Sequence, residues 1–160
     1  MSKRSDALAQ RLEQGARALG DFAASLSEAE WQTRVPHDGR KIGVVVNHVA
    51  TVYPLEVQLA QAIAAGKPVV GLTGETIDKM NAEHAGKNDD VTREATLELL
   101  RRNSAGAATA IRDLTDDDLD QAVTVSLYGD ATLTCQFVLE DHAVRHSYHH
   151  LARIRAALKR

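Results

Sequence analysis

The sequence predicts an all-α protein folded as a single four-helix bundle. Its 160 residues suit one domain, and 44% hydrophobic with 26% charged residues is the composition of a globular protein. Apolar residues recur at steps of three and four in four long segments, and no repeat or low-complexity tract separates them. Aromatic residues are only 4% of the chain, so aliphatic side chains must fill the core.

The first helix is predicted over residues 6–26 because its apolar residues share one face. These are Leu8, Leu12, Ala16, Leu19, Phe22 and Ala23. A short helical turn over 27–31 follows, with Ser27 as its N-cap. Residues 35–39, which contain a proline and a glycine, then break the chain.

The second helix is predicted over residues 39–65, ended by Gly66 and Pro68. The β-branched run at 44–46 could also form a strand. Helix is favoured because the apolar spacing of 3.6 residues continues through Val52, Leu55, Leu59 and Ile63. Pro54 lies inside this pattern and predicts a kink there or a break one turn earlier.

The remaining chain predicts two further long helices. A loop at 66–74 leads to a short helix at 76–84, and the third long helix begins at Val91 or Thr92 and ends at the acidic residues 116–118. Residues 122–134 alternate weakly, which fits a small hairpin or an extended loop. The last helix is predicted over residues 134–159.

Charge and cysteine content exclude several functional classes. Nineteen Lys and Arg residues against 22 Asp and Glu give a net charge of −3, so no nucleic-acid partner is expected. A single cysteine, Cys135, excludes a disulfide framework and a cysteine-rich zinc site, and we expect it to be buried. Without an apolar signal segment or a membrane-spanning run, we expect a cytoplasmic protein with no membrane partner.

Four of the seven histidines crowd into the last helix: His142, His146, His149 and His150. On a helical wheel, His150 lies inside the apolar arc and His146 at its edge, while His142 and His149 fall on the polar side. That arc consists of Tyr148, Phe137, Val144, Leu151, Ile154, Ala143, Leu139 and Ala157. Histidines four residues apart can hold one metal ion, but Ser147 stands where a His-Glu-x-x-His protease motif would have its glutamate.

A third histidine, His48, lies at the centre of the apolar stripe of the second helix. Burying it without a partner would cost on the order of 1 to 3 kcal/mol, so it is either hydrogen-bonded in the core or a metal ligand. Its coincidence with the pair on the last helix favours a site made by His48, His146 and His150. The other two histidines, His37 and His84, are expected at the surface.

Three stretches of the chain carry a resemblance to a known family. The first contains Trp31, Pro36 and Gly39 and ends on Asn47-His48-Val49-Ala50. The second is Ile77-Asp78-Lys79-Met80-Asn81-Ala82. The third and most specific is His146-Ser147-Tyr148-His149-His150-Leu151-Ala152-Arg153-Ile154-Arg155, a His-x-x-His-His signature followed by a basic residue. Together they resemble the DinB/YfiT-like superfamily of metal-binding four-helix bundles, which also contains bacillithiol transferases and the metal-binding domain of mycothiol-dependent enzymes.

The resemblance implies that residues 1–160 form one DinB-like domain, an up-down-down-up bundle with a long connection between its second and third helices. It also implies one divalent ion, zinc or nickel, held by His48, His146 and His150, and a homodimer. The chain departs from the family at Lys41-Ile42, where a tryptophan is usual just before the second helix.

Three imidazoles leave a metal ion its charge and an open coordination position. With the resemblance, this predicts a metal-dependent enzyme of the thiol S-transferase type, or a related hydrolase, acting on a small molecule such as a low-molecular-weight thiol. The alternatives are a non-catalytic, metal-stabilised binding or stress-response module and a bundle without metal. No acid or base is assigned, because Glu56 lies off the face of His48 and Glu140 and Asp141 are expected to be solvated.

Overall fold

Four long helical segments build the fold in the computed structural model, which describes residues 2–160. The helices are α1 (Lys3–Ala24), α2 (Glu28–Gln32), α3 (Ile42–Ala64), α4 (Gly74–Lys87), α5 (Arg93–Arg112), α6 (Asp116–Asp120), α7 (Cys135–Leu139) and α8 (Arg145–Leu158). A π-helical segment, Glu140–Val144, joins α7 to α8 without a break. The strands β1 (Ala122–Val125) and β2 (Ala131–Thr134) form one antiparallel hairpin around a 3-10 turn, Ser126–Tyr128. The predicted all-α bundle is confirmed, and the weak alternation before the last helix is a hairpin.

Contacts between the long helices show the direction of each one. Near the start of α1, Asp6 accepts a hydrogen bond of 3.0 Å from Arg112 at the end of α5, so these two helices are antiparallel. In contrast, α3 runs parallel to α5, because Asn47 bonds Thr96 near the beginning of both helices.

The last helical rod, residues 135–158, runs in the direction of α1. Its first residues meet the start of α1, where Arg4 donates to Gln136 over 3.1 Å, and Arg155 near its end lies over the Phe22 ring at the end of α1. The four long segments are therefore arranged up, down, down and up, as the resemblance implied. Parallel α3 and α5 require a long return connection, which contains α4.

The loop before α3 has backbone hydrogen bonds of its own. Val35 donates to the Arg40 carbonyl over 2.9 Å, and Ile42 donates to the Thr33 carbonyl over 2.8 Å. His37 and Gly39 have φ angles of 64° and 81°, which do not continue a helix. The helix predicted from residue 39 therefore begins at Ile42.

Helix α3 continues through Pro54, so of the two expected outcomes the break one turn earlier is wrong. Proline has no N–H to bond the carbonyl four residues earlier, which belongs to Ala50. The side chain of Asn103 on α5 donates to that carbonyl over 2.8 Å. A neighbouring helix thus replaces the hydrogen bond that the proline removes.

The first turns of α3 are the most enclosed part of the bundle. All nine residues from 42 to 50 are buried, because α3 packs between α5 on one side and the last helical rod on the other. Gly43 lies against the indole of Trp31, where an added Cβ would approach Trp31 Cε2 to 2.3 Å. His48 belongs to this buried stretch and cannot reach bulk solvent freely.

The predicted aliphatic core is present, and Cys135 is buried in it as expected. Two side chains that the helical wheel placed in the apolar arc, Phe137 and Tyr148, are instead 44% and 41% exposed. They lie at one limit of the arc, where Tyr148 still contacts α1 by donating its hydroxyl proton to the Arg11 carbonyl over 3.3 Å. Among residues 2–160, the helices are all too short or too polar to cross a membrane.

Candidate metal centre

Three histidines meet between α3 and α8. One ring nitrogen from each of His48, His146 and His150 lies within 4.8 Å of the other two. His48 and His150 are 5% and 6% exposed, and His146 is half-buried. The antiparallel packing of α3 on α8 therefore brings together the three side chains that the sequence analysis singled out.

The His146 ring is oriented by a carboxylate on the opposite helix. Its Nδ1 lies 2.5 Å from Oε1 of Glu56, and its Nε2 lies 3.1 Å from Nε2 of His48. Because a carboxylate accepts, Nδ1 carries a proton, and Nε2 faces the centre of the cluster. A histidine that donates to a carboxylate through one nitrogen is the usual form of a histidine that binds metal through the other.

Burial keeps the other two imidazoles neutral. Together with neighbouring positive charges, it lowers the pKa of His48 to about 3 and that of His150 to about 2. Both rings are therefore uncharged at neutral pH. Neutral imidazole is the form that coordinates metal ions.

A cavity of 740 Å³ opens onto the cluster. The three histidines and Glu56 lie on its wall, and α4 contributes apolar side chains from the opposite side. Its lining residues are Arg40, His48, Val52, Leu55, Glu56, Gln58, Leu59, Leu72, Gly74, Ile77, Asp78, Met80, Asn81, Leu127, His142, His146, His150 and Arg153. This volume is within the range of small-molecule sites in proteins.

Unpartnered polar atoms concentrate around this cavity. Within residues 2–160, buried side-chain nitrogens or oxygens lacking a hydrogen bond are Arg40 Nη1, Glu56 Oε2, His84 Nδ1, Arg93 Nε and His150 Nδ1. Arg40, Glu56 and His150 line the cavity, and the His84 ring packs edge-on against His48 at 5.8 Å. Each such atom costs roughly 1–3 kcal/mol unless something bonds it. Neutral nitrogens and a spare carboxylate oxygen fit a divalent cation among these side chains.

The sequence as a whole matches a family model of the DinB superfamily over residues 10–154. The chain belongs to the DinB superfamily. No curated protein sequence is significantly similar to it.

Two solved structures share the fold of this DinB superfamily member. YfiT from Bacillus subtilis, described as a probable metal-dependent hydrolase with an unusual four-helix bundle topology, is 19% identical with a TM-score of 0.77, over 99% of this chain and 89% of YfiT. A mycothiol-dependent maleylpyruvate isomerase is 14% identical with a TM-score of 0.71, over 96% of this chain. The match spans only 63% of the isomerase chain.

One histidine of this DinB-like bundle is closer to the cluster than the sequence indicated. His84, expected at the surface, is half-buried, and its Nε2 lies 2.8 Å from Oδ1 of Asn47, the residue before His48. Helix α4 places it there by crossing over the start of α3. No local pattern in the sequence shows where α4 packs, although the polar Asn47 inside an apolar helix was a signal that a partner was needed.

A second polar group borders the cavity beside the cluster. The Tyr128 hydroxyl donates to the Asp141 carboxylate and lies 2.8 Å from Nε2 of His142, which lines the cavity. The predictions of a polar-side His142 and a solvated Asp141 are therefore wrong. A wheel of 100° per residue does not describe the π segment, which holds more residues per turn and so rotates these side chains relative to His146.

The remaining histidines lie where the sequence indicated. His149 and His37 are both exposed. Neither lines the cavity. Lys41, at the position of the family's usual tryptophan, donates to the Asp89 carbonyl over 3.0 Å, while its neighbour Arg40 forms the cavity wall there.

Proposed function

We propose that this protein is a metal-dependent enzyme in which His48, His146 and His150 hold one divalent ion and the adjoining cavity receives a small-molecule substrate. One observation carries the proposal: three imidazoles converge within 4.8 Å beside a 740 Å³ cavity. A closed structural metal site would need no such cavity. We expect zinc or nickel, which imidazole ligands suit.

A divalent ion held by three neutral ligands keeps its full charge and supplies a Lewis acid that lowers the pKa of a bound water or thiol. Glu56 orients the His146 ring and holds its Nδ1 proton. Helix α4 covers the cavity with apolar side chains such as Ile77 and Met80, which limit the water around a bound substrate.

His142 is the proposed proton acceptor. Because Tyr128 donates its hydroxyl proton to Asp141, the tyrosine oxygen accepts from His142 Nε2. The neutral ring then has an unprotonated Nδ1, and the side chain lines the cavity. His142 can therefore take the proton released when a thiol or water is activated.

The proposed reaction class is thiol S-transfer, with hydrolysis as the related alternative. Two structural relatives support this choice: one described as a probable metal-dependent hydrolase and one that depends on the thiol mycothiol. The only cysteine, Cys135, has a pKa raised to about 11 by burial and donates to the Ala60 carbonyl, so a reacting thiol would come from the substrate. We further propose a cytoplasmic homodimer that binds neither nucleic acid nor membranes.

The test begins with elemental analysis of protein purified without a histidine tag. We expect one divalent ion per chain, and its loss in the His48→Ala and His150→Ala variants. His149→Ala is the matched control, since His149 neighbours His150 on α8 but is exposed. Unchanged metal content in the two site variants would refute the ligand set.

Activity is tested by offering low-molecular-weight thiols together with electrophilic acceptors, and in parallel hydrolysable esters and amides. Turnover should require the metal and fall in His142→Gln. The competing function is a metal-stabilised, non-catalytic module, favoured by the fact that the three histidines connect α3 to α8. Unfolding on metal removal, with no turnover of any substrate, would favour that module.

A further inference from the structure

Two arginines share the cavity wall with the histidine cluster. Arg40 ends the loop before α3, and Arg153 lies on α8, three residues beyond His150. Both contact one carboxylate, that of Asp38, whose side chain is only 6% exposed. Arg40 donates to it from Nε over 2.6 Å and from Nη2 over 2.8 Å, and Arg153 Nη1 lies at 3.5 Å.

This arrangement leaves part of each guanidinium group unpaired at the cavity wall. Arg40 Nη1 is buried and has no hydrogen-bond partner, although its other nitrogens are held by Asp38. Arg153 makes only one contact with Asp38, and its side chain is 38% exposed. A guanidinium fixed on one edge, with its other edge free, is prepared to bind an oxyanion.

The charges around the pair favour a single negative charge. The two guanidinium groups and the carboxylate of Asp38 together carry one positive charge. The other carboxylates on the wall are Glu56, which is bonded to His146, and Asp78 on α4.

We propose that Arg40 and Arg153 form a subsite for a carboxylate of the substrate, separate from the metal-binding histidines. Its charge matches a carboxylate better than the dianion of a phosphate ester. Leu55, Leu59, Ile77 and Met80 line the same cavity and suit a short aliphatic segment. The substrate class is therefore a small amphipathic carboxylate. This subsite rests on the proposed function in one respect, that the reacting group of the substrate lies at the three histidines. Binding of the carboxylate itself needs no metal.

The experiment measures binding of hexanoate, 1-hexanol and hexyl phosphate by isothermal titration calorimetry, on the protein as purified and after treatment with a chelator. Hexanoate should bind about tenfold or more tightly than hexanol, because a hydrogen-bonded charge pair replaces a neutral contact. This preference should disappear in Arg40→Gln and shrink in Arg153→Gln. Circular dichroism verifies that each variant is folded.

Two further variants keep the outcome clear. Arg40→Lys retains the charge beside Asp38 but lacks the second donor edge, so it should fold normally and still bind hexanoate less tightly than the wild type. Arg101→Gln, at an exposed arginine paired with Glu98, should change nothing.

Equal affinity for hexanoate and hexanol would overturn the subsite, as would a preference that survives Arg40→Gln. Tighter binding of hexyl phosphate would overturn the assignment to a carboxylate. A carboxylate preference in protein that is purified without metal and takes up no added divalent ion would leave the subsite standing while the proposed function fails, so the two failures are distinguishable.

Discussion

Polar groups are paired differently in two seams of the bundle, one between α1 and α5 and the other between α3 and α8. In the first, Arg112 donates to Asp6 over 3.0 Å and to both carboxylate oxygens of Glu13 over 2.9 Å. In the second, His150 Nδ1 and Glu56 Oε2 are buried without a hydrogen-bond partner. The same bundle thus pairs the Arg112 guanidinium fully in one seam and leaves two buried atoms of the metal centre unpaired in the other.

The difference indicates what each seam is for. Paired groups contribute to the folded state and need nothing from outside, whereas buried unpaired groups are retained at a free-energy cost that a ligand can offset. Substitutions in the first seam should therefore change stability alone. Substitutions in the second should change metal binding first.

The largest effect is expected at His150. Its replacement by alanine should remove metal binding, because the two remaining imidazoles bind a divalent ion much more weakly than three do. Elemental analysis and circular dichroism on the same sample check this: metal content should fall to background while the helical signal stays. Loss of the helical signal instead would mean that the His150 side chain in the seam between α3 and α8 is needed for folding.

A smaller loss of affinity is expected from Glu56→Gln. The amide keeps the shape of the side chain but removes the charge that fixes the His146 ring, and substitutions of this kind lower metal affinity about 10- to 100-fold. Competition with a chromophoric chelator measures the change. An affinity equal to the wild type would show that Glu56 does not support the metal centre.

Asn103→Ala tests a polar contact that serves only the fold. It should lower the free energy of unfolding by about 1–3 kcal/mol, because the Ala50 carbonyl loses its donor next to Pro54. Chemical denaturation measures this, with the exposed neighbour variant Arg102→Ala as the control. Metal content should not change, and a change would show that this contact between α5 and α3 also supports the metal centre.

The smallest effect is the pH dependence of the α1 and α5 seam. Hydrogen bonds from Arg112 lower the pKa of Glu13 below its usual value, and the charge of Arg112 acts in the same direction. The folded state is therefore favoured above the unfolded-state pKa of about 4.3, and this contribution is lost as the pH falls through the lower folded-state pKa.

Arg112→Gln should flatten that part of the stability profile. Denaturation at a series of pH values below 5 on wild type and variant tests it, with Arg101→Gln as a control at an arginine on the exposed face of α5. Parallel wild-type and Arg112→Gln profiles would show that the ion pair contributes nothing to stability.

The helix ends and the histidine cluster could both be predicted from local patterns in the sequence. Ser27 and Thr134 cap the helices that the sequence placed after them, because a capping side chain bonds a backbone N–H three residues away. The meeting of His48 with His146 and His150 was predictable for a related reason. Each lies on the buried side of its own helix, and a bundle turns those sides toward each other.

Contacts that depend on the packing of other helices could not be predicted from these local patterns. The approach of His84 depends on where α4 crosses α3, and the position of His142 depends on a π segment that interrupts the regular helix. The helical wheel set Glu56 off the face of His48, but Glu56 bonds His146 on the opposite helix and lines the same cavity as His48. A helical wheel describes one helix at a time and cannot show these partners.

The sequence by itself determined the four long helices, the buried aliphatic faces and the three histidines turned toward one another, because hydrophobic spacing and capping act over a few residues. Only the tertiary structure decided which buried polar atoms were paired. Packing α4 and the residue 33–42 loop against α3 and α8 formed the cavity, gave His146 its carboxylate and left Arg40 with a free donor. Those pairings join residues far apart in the chain, and their geometry exists only when the whole bundle is assembled.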